Sequence, residues 1–148
     1  MRVFMMKLPL SVYYITLNEE ERLPESLEKV KEWAGEIIVV DSGSTDRTCE
    51  LAEAAGARVV YREWEGFASQ KAYAASLCVN DWVLDLDADE VLSDTLVRNI
   101  KQLFSKPISP DVAGYRMRWV LSPPDPRHPY RYERRKRILR LDNRKGAA

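Results

Sequence analysis

Short apolar runs recur along the first hundred residues and predict the strands of a sheet. Leu10–Thr16 is rich in β-branched and aromatic residues, and Glu36–Asp41 is an almost continuous apolar run that closes on an acid. Runs of this kind are typical of strands that are buried on both faces of a parallel sheet. Arg58–Tyr61 and Asp81–Leu86 predict two further strands.

Amphipathic stretches separate these runs and predict helices. Apolar residues at helical spacing favour a helix over Leu23–Ala34 that ends at Gly35, and a second helix that ends at Gly56. A third helix is predicted over Phe67–Leu77, and Ser93 is placed to cap a fourth. Alternating strands and helices indicate βαβ units around a parallel sheet, in which ligands bind beyond the carboxyl ends of the strands.

The pattern changes near residue 107, where prolines interrupt the alternation. Gly114–Leu121 and Ile138–Leu141 are weaker strand candidates, and the proline-rich stretch between them cannot join a central sheet. We therefore expect one domain over 1–148, with an α/β core over 8–106 and a basic, proline-containing part over 107–148.

Composition and charge fit a folded protein with an uneven charge distribution. The chain is 45% hydrophobic and 31% charged, which argues against disorder, and its net charge is zero. Residues 115–145 nevertheless hold eleven Lys and Arg against three acids, so an acidic body precedes a basic segment that favours an anionic partner.

Targeting signals are not predicted. Met1–Leu10 is broken by charges and a proline and does not resemble a signal peptide, and no apolar run approaches the roughly 20 residues that cross a bilayer as a helix. We expect a cytoplasmic protein whose basic segment touches the inner face of an anionic membrane.

Cysteine and aromatic side chains are expected to be packing residues. Cys49 and Cys78 both lie in helical stretches and are most simply small buried apolar groups. Trp64, Phe67 and Trp82 are likewise expected in the core rather than as platforms that stack on sugars.

Acidic residues follow two of the predicted strands. Asp41 ends one strand, and the other is followed by a cluster made of Asp85, Asp87, Asp89 and Glu90. Both strand ends lie on one edge of a parallel sheet. Carboxylates that lie so close together repel one another unless a positive group joins them. Mg²⁺ and Mn²⁺ prefer such oxygen ligands and also bind phosphate. A solvated acidic turn is the alternative, and the buried strand before the cluster argues against it.

At these motifs the chain resembles a known enzyme family. Leu10–Glu20, Ile37–Asp46 and Trp82–Glu90 are similar to the motifs of the inverting glycosyltransferase family two. Arg62–Phe67 and the pair Gln70-Lys71 resemble its lipopolysaccharide-core β-glucosyltransferase branch. The resemblance implies a GT-A-like (Rossmann-like) α/β fold with a mostly parallel sheet, and transfer of a sugar from a nucleotide-diphosphate donor.

The resemblance also implies roles for individual residues. It assigns contacts with the nucleotide sugar to Thr16, Asn18, Glu19, Asp41, Ser42, Lys71, Asp87 and Ala88. Asp41 would accept a hydrogen bond from a uracil-type base, Asp87 would reach the ribose or the metal, and Asp89 would be the main protein ligand of Mg²⁺ or Mn²⁺. Asp41 and Asn18 also suit the alternative of turn-closing residues, and Lys71 could neutralise phosphate or the acids or lie on a solvated helix face.

The catalytic base has no clear candidate. Family members take it from an acid on a segment after the metal motif, whereas here Glu133 and Asp142 are the late acids besides Asp125, and neither has the expected context. We therefore expect the base beyond Ala148, in a chain that is shortened at its C-terminus relative to the family.

Three classes of function follow from these residues. The first is transfer of a sugar, in particular from a UDP-sugar, to a glycan, lipid-linked or lipopolysaccharide-type acceptor with inversion. The second is a donor-binding fragment or pseudoenzyme without transfer activity. The third is a basic protein that binds nucleic acid or membrane through 131–144, which leaves the acids unexplained, so we expect no nucleic-acid partner.

Overall fold

The computed structural model describes residues 6–117 and the backbone of residues 139–143. The strands are β1 (Leu8–Thr16), β2 (Ala34–Asp41), β3 (Arg58–Tyr61), β4 (Trp82–Asp85), β5 (Gly114–Met117) and β6 (Leu139–Asn143). The helices are α1 (Leu23–Glu28), α2 (Thr48–Ala54), α3 (Phe67–Leu77) and α4 (Asp94–Leu103). The predicted β3 and α3 have these same bounds, and the Ser93 hydroxyl accepts the Leu96 N–H at 3.1 Å as the expected cap of α4.

These strands form one mixed sheet in the order β3-β2-β1-β4-β6-β5. The first four are parallel, whereas β6 runs antiparallel to both β4 and β5. The expectation of a mostly parallel sheet with helices is confirmed, while the division of the chain near residue 106 stays a prediction.

The register of the parallel strands brings their carboxyl ends to one edge, which we call the carboxyl edge. Thr16 lies opposite Asp41, and Asp41 lies opposite Tyr61. Asp85, the last residue of β4, lies opposite Tyr13 in β1. The loops that follow β1, β2 and β4 therefore start side by side.

The sheet is packed on both faces, because successive side chains of a strand point to opposite sides. Val12, Tyr14 and Val39 share one core cluster with Leu23 and Leu27 of α1. Tyr13, Ile38 and Val40 lie in a second cluster with Ala74 of α3. The acidic loops are thus held between helices on both faces of the sheet.

The first helix differs from its prediction. We expected Leu23–Ala34, but α1 ends at Glu28, and Gly35 lies inside β2 rather than after a helix. A Cβ at Gly35 would lie 2.3 Å from the Leu8 carbonyl oxygen, so this position allows close approach of β1 and β2. A single sequence does not reveal that non-local contact.

Two of the three expected core aromatics are exposed. Trp82 is buried and packs edge-on against Phe104 at 5.9 Å between ring centroids. Trp64 and Phe67 are 46% and 69% exposed and contact each other at 4.8 Å. The core prediction for these two is wrong, because they lie in the loop before α3 and in its first turn rather than on a strand.

The cysteines divide in the same way: Cys78 is buried as expected, whereas Cys49 is only half-buried in the first turn of α2. Among the described residues, the structure contains no helix that is both long and apolar enough to cross a membrane.

Candidate functional site

The loops after β1 and β2 are joined by reciprocal hydrogen bonds. The Asn18 N–H donates to the Ser44 hydroxyl at 2.8 Å, and the Thr45 N–H donates to the Asn18 side-chain oxygen at 2.9 Å. Asn18 has a positive φ of 52°, a conformation that asparagine tolerates better than most residues. Asn18 therefore forms a turn, as the alternative interpretation of this residue expected. Its contact with a nucleotide stays a prediction.

Asp41 is the centre of this junction. One carboxylate oxygen accepts the hydroxyls of Thr16 and Ser44 at 2.7 and 2.6 Å, and the other accepts the N–H groups of Gly43 and Ser44 at 2.9 and 2.7 Å. Burial to 3% exposure would raise the pKa of Asp41, but these hydrogen bonds hold the pKa below 3.8. Asp41 is thus a charged, turn-closing acid, and recognition of a base remains a prediction.

Glu19 is paired with Arg22, a residue that the sequence analysis did not single out. The Arg22 guanidinium donates to both Glu19 oxygens at 2.8 and 2.7 Å, and its other terminal nitrogen lies 3.9 Å from Asp89. A concavity of about 170 Å³ is lined here by Asn18–Arg22 and Asp46. The signal in the sequence was an arginine directly after the acidic run Glu19–Glu21, whose first residue was already assigned to the site.

The acidic segment after β4 is a closed turn. The Glu90 N–H donates to the Asp87 carbonyl at 3.0 Å, and the Asp87 N–H donates to the Glu90 carboxylate at 2.8 Å. Glu90 is 8% exposed, and burial, followed by the charges of Asp89 and Asp85, raises its pKa to about 7 against the influence of Lys71. We call residues Asp87–Glu90 the acidic turn.

The two assigned metal ligands and their neighbour differ in accessibility. Ala88 is buried, the Asp87 carboxylate is mostly covered, and the Asp89 carboxylate is 48% exposed. The structure therefore presents Asp89 to solvent and covers Ala88, whose assigned contact with the nucleotide sugar stays a prediction.

Lys71 supplies the positive charge that the acid cluster requires. Its ammonium group lies 2.9 and 3.0 Å from the two Asp85 oxygens and 3.1 Å from Asp87. All three side chains are largely buried. Of the three alternatives for Lys71, neutralisation of the acids matches these contacts.

The fit of a divalent cation depends on Asp87 and Asp89. Within the part of the chain that the structure describes, no group of three or more acidic, His or Cys side chains is placed to hold a metal ion. Mg²⁺ needs only one or two protein carboxylates when substrate phosphates and water complete its shell, so the oxygen donors of Asp87 and Asp89 are of the kind that such an ion requires.

Gln70 is a second site neighbour that lacked a sequence-based assignment. Its side-chain amide is fully buried and donates to the Ser42 hydroxyl at 3.0 Å and to the Arg62 carbonyl at 3.1 Å. Since Lys71 follows it directly, the first turns of α3 tie together the segments after β2, β3 and β4.

A larger cavity lies at the opposite, amino edge of the sheet. It has a volume of about 380 Å³ and is lined by Pro9, Trp82 and residues 104–108. Lys106 is the charged residue in that lining. The carboxylates that could serve a phosphate-bound cation are gathered at the carboxyl edge instead, which is therefore the candidate site.

The chain matches the family model described as glycosyl transferase family 2 over residues 11–147. An uncharacterised glycosyltransferase of Rickettsia conorii is 39% identical over 139 residues, which cover 94% of this chain and 49% of that protein. The lipopolysaccharide core biosynthesis glycosyltransferase LpsC of Rhizobium meliloti is 40% identical over 116 residues, covering 75% of this chain and 42% of that protein. The chain thus spans about half the length of these relatives.

A solved structure supports the same assignment. Glucosyl-3-phosphoglycerate synthase of Mycobacterium tuberculosis, crystallised with UDP, superposes with a TM-score of 0.50 and 32% identity over 57% of this chain and 35% of that one. The expected GT-A-like fold is confirmed. The family motifs, the sheet that carries them and these similarities agree, and the chain belongs to glycosyl transferase family 2.

Proposed function

We propose that this chain binds a nucleotide-sugar donor, in particular a UDP-sugar, at the carboxyl edge of the sheet. The observation that carries the proposal is the meeting of two loop systems at that edge. One is the junction between the loops after β1 and β2, which contains Asn18 and Asp41. The other is the acidic turn after β4. The solved structure of similar fold, glucosyl-3-phosphoglycerate synthase, was crystallised with UDP, which supports the choice of donor.

The junction would hold the nucleoside. Thr16 at the end of β1 contacts Asp41 directly, and Asn18, Glu19 and Ser42 lie on the loops that follow β1 and β2. The Asp41 carboxylate already accepts four hydrogen bonds. A carboxylate offers about four acceptor positions, so a base N–H that binds Asp41 replaces one of these donors. The Ser44 hydroxyl is the simplest to displace, because the Ser44 N–H keeps its own bond to Asp41.

The acidic turn would hold a divalent cation and through it the diphosphate. Asp89 is the principal ligand in this proposal because its carboxylate is the more exposed one, while Asp87 is also engaged by Lys71. When bound, Mg²⁺ or Mn²⁺ would offset the negative charge of the leaving diphosphate. The Lys71 ammonium would hold Asp87 in place and lower the negative potential that the diphosphate meets.

Family activity is the transfer of the sugar to an acceptor, which we propose occurs with inversion. The acceptor hydroxyl attacks the anomeric carbon, the bond to the diphosphate breaks, and a general base takes the hydroxyl proton. Glu90 does not suit that role despite its raised pKa, because it is buried and closes the acidic turn. Of the two late acids, Asp142 lies on β6 opposite Val83, and Glu133 lies outside the described residues. We therefore keep the proposal that the base lies beyond Ala148.

The name of one relative supports our proposal for the acceptor. The name of LpsC concerns the lipopolysaccharide core, so we propose a glycan or lipopolysaccharide-type acceptor. We propose that the sugar is transferred to it on the cytoplasmic side of a membrane. The basic segment 115–145, mostly outside the described residues, would contact the anionic lipid surface there. A donor-binding module without transfer activity is the alternative, and a radiolabelled-donor assay distinguishes the two.

Calorimetric titration of UDP tests the donor site. We expect binding in the presence of Mn²⁺ and none in EDTA, since the acids otherwise repel the diphosphate. Asp89→Ala should weaken binding at least about tenfold, equivalent to about 1.4 kcal/mol. Asp111→Ala, which removes an exposed carboxylate from the loop before β5, should leave the affinity unchanged. Equal affinity with and without EDTA, or an unchanged Asp89→Ala variant, would refute the proposal.

A further inference from the structure

A buried serine in α1 connects the core to the acidic turn. The Ser26 hydroxyl is fully buried and donates to the Glu90 carbonyl, and it lies 2.8 Å from the Tyr14 hydroxyl. Ser26 has a single hydroxyl proton and a carbonyl can only accept, so Tyr14 must be the donor in the second bond. Tyr14, Ser26 and the Glu90 carbonyl therefore form a directed chain of hydrogen bonds, which we call the Tyr14–Ser26 relay.

The relay ends on the residue that shapes the acidic turn. Glu90 closes the turn twice, through its own N–H to the Asp87 carbonyl and through its carboxylate to the Asp87 N–H. The Glu90 carbonyl is the third anchored group, and its partner lies 64 residues earlier in the chain. Fixing Glu90 thus fixes the backbone that carries Asp87 and Asp89.

The turn is held from both faces of the sheet. Tyr14 belongs to the core cluster on the α1 face, whereas Lys71 comes from α3 on the other face and binds Asp85 and Asp87. Without the relay, the turn keeps the Lys71 contacts and loses the opposing anchor. The Asp89 carboxylate, half exposed at the tip, would then be less well placed.

We propose that Ser26 is a positioning residue of the donor site, which acts through the Glu90 carbonyl to place Asp89 for a divalent cation and a diphosphate. This inference rests on the proposed function. Ser26 is too deeply buried to touch a ligand, so its effect passes through the turn. Burial raises the pKa of Tyr14 above its ordinary value, which keeps the Tyr14 hydroxyl protonated as the donor.

Three variants of the 148-residue chain separate positioning from packing. Ser26→Ala cuts the bond to Glu90, Tyr14→Phe removes only the donor behind Ser26, and Ser26→Thr keeps the hydroxyl at some cost in packing. The matched control is Ser11→Ala, which removes another fully buried hydroxyl, one that donates to Glu36 at the amino edge. Unfolding by urea gives the stability of each variant.

Manganese binding in the presence of UDP, followed by electron paramagnetic resonance, is the readout. We expect at least a tenfold loss of affinity for Ser26→Ala, less than about threefold for Tyr14→Phe and Ser26→Thr, and none for Ser11→Ala despite a similar loss of stability. If Ser26→Ala does not fold, Ser26→Cys replaces it. We expect Ser26→Cys to lose more affinity than Ser26→Thr and Tyr14→Phe, without losing binding completely.

The inference fails if Ser26→Ala, or Ser26→Cys in its place, binds manganese and UDP as the wild type does. It also fails if Ser11→Ala loses as much affinity, because stability alone would then explain the effect. Absence of binding by the wild type itself would instead refute the proposed function.

Discussion

At the scale of single residues, the buried Asp41 and the partly buried Lys71 are the two charged groups whose contacts organise the candidate site. Asp41 keeps its charge because four hydrogen bonds from Thr16, Gly43 and Ser44 outweigh the cost of burial. The Lys71 ammonium group lies between Asp85 and Asp87. Each of the two positions can be tested separately by substitution.

Asp41→Asn should destabilise the fold by about 1–3 kcal/mol at pH 7, the range for a buried polar group that loses its partner. The amide nitrogen would face donors that now bind a carboxylate oxygen. Because the pKa of Asp41 is lowered in the folded state, the contribution of its charge to stability is present above pH 3.8. This contribution is lost as the pH falls through the folded-state pKa.

Urea denaturation of wild type and Asp41→Asn between pH 7 and pH 2 measures this contribution. The difference in free energy of unfolding should shrink as the pH falls below 4. Asp111→Asn serves as the exposed control and should follow the wild type throughout. A difference that stays constant over this range would show that the charge of Asp41 is unimportant.

Lys71→Met should destabilise the fold by about 1–3 kcal/mol, because it leaves Asp85 and Asp87 close together in a largely buried position without their counter-ion. Lys31→Met removes a cation from a more exposed pair with Glu28 and should cost less than about 1 kcal/mol. Thermal unfolding without added metal compares the two. Equal effects would contradict a special role for Lys71.

At the scale of elements, the agreement between sequence and structure depends on how local the signal is. Gly66 and the alanine-rich run gave the bounds of α3, and the β-branched pair Val59-Val60 after Gly56 gave β3, so both were predicted correctly. The end of α1 was predicted wrongly, because Gly35 lies inside β2, where it allows the close approach of the Leu8 carbonyl on β1. Arg22 was missed and no role was predicted for Gln70, because the Arg22–Asp89 pair and the Gln70–Ser42 hydrogen bond join residues that are far apart in the sequence.

Gly35→Ala tests the contact between β1 and β2. An added Cβ would lie 2.3 Å from a backbone oxygen that cannot move without shifting a central strand, so we expect a loss of more than about 2 kcal/mol in urea unfolding. Gly56→Ala is the contrast, because its Cβ would meet open space and only its φ of +90° is unfavourable, a cost of about 1–2 kcal/mol. A smaller loss at Gly35 than at Gly56 would contradict the proposed close packing.

At the scale of the whole molecule, the two edges of the sheet differ in chemistry. The amino edge has the larger of the two cavities, which Trp82 and Phe104 help to line, and the carboxyl edge has the acids, Lys71 and Arg22. The motifs that resemble the family lie at the carboxyl edge, although its concavity is the smaller one. Cavity size alone favours the amino edge, whereas the divalent cation that we propose requires the carboxylates of the carboxyl edge.

Nuclear magnetic resonance of the ¹⁵N-labelled chain during titration with UDP and Mg²⁺ locates the donor site. If the donor binds at the carboxyl edge, amide shifts should change at Asn18, Ser42, Ser44 and the acidic turn, and not at Trp82, Phe104 or Ile108 around the other cavity. The same titration in EDTA should leave the acidic turn unchanged. Shift changes confined to the amino edge, or a response of the acidic turn that is the same with and without Mg²⁺, would contradict the account.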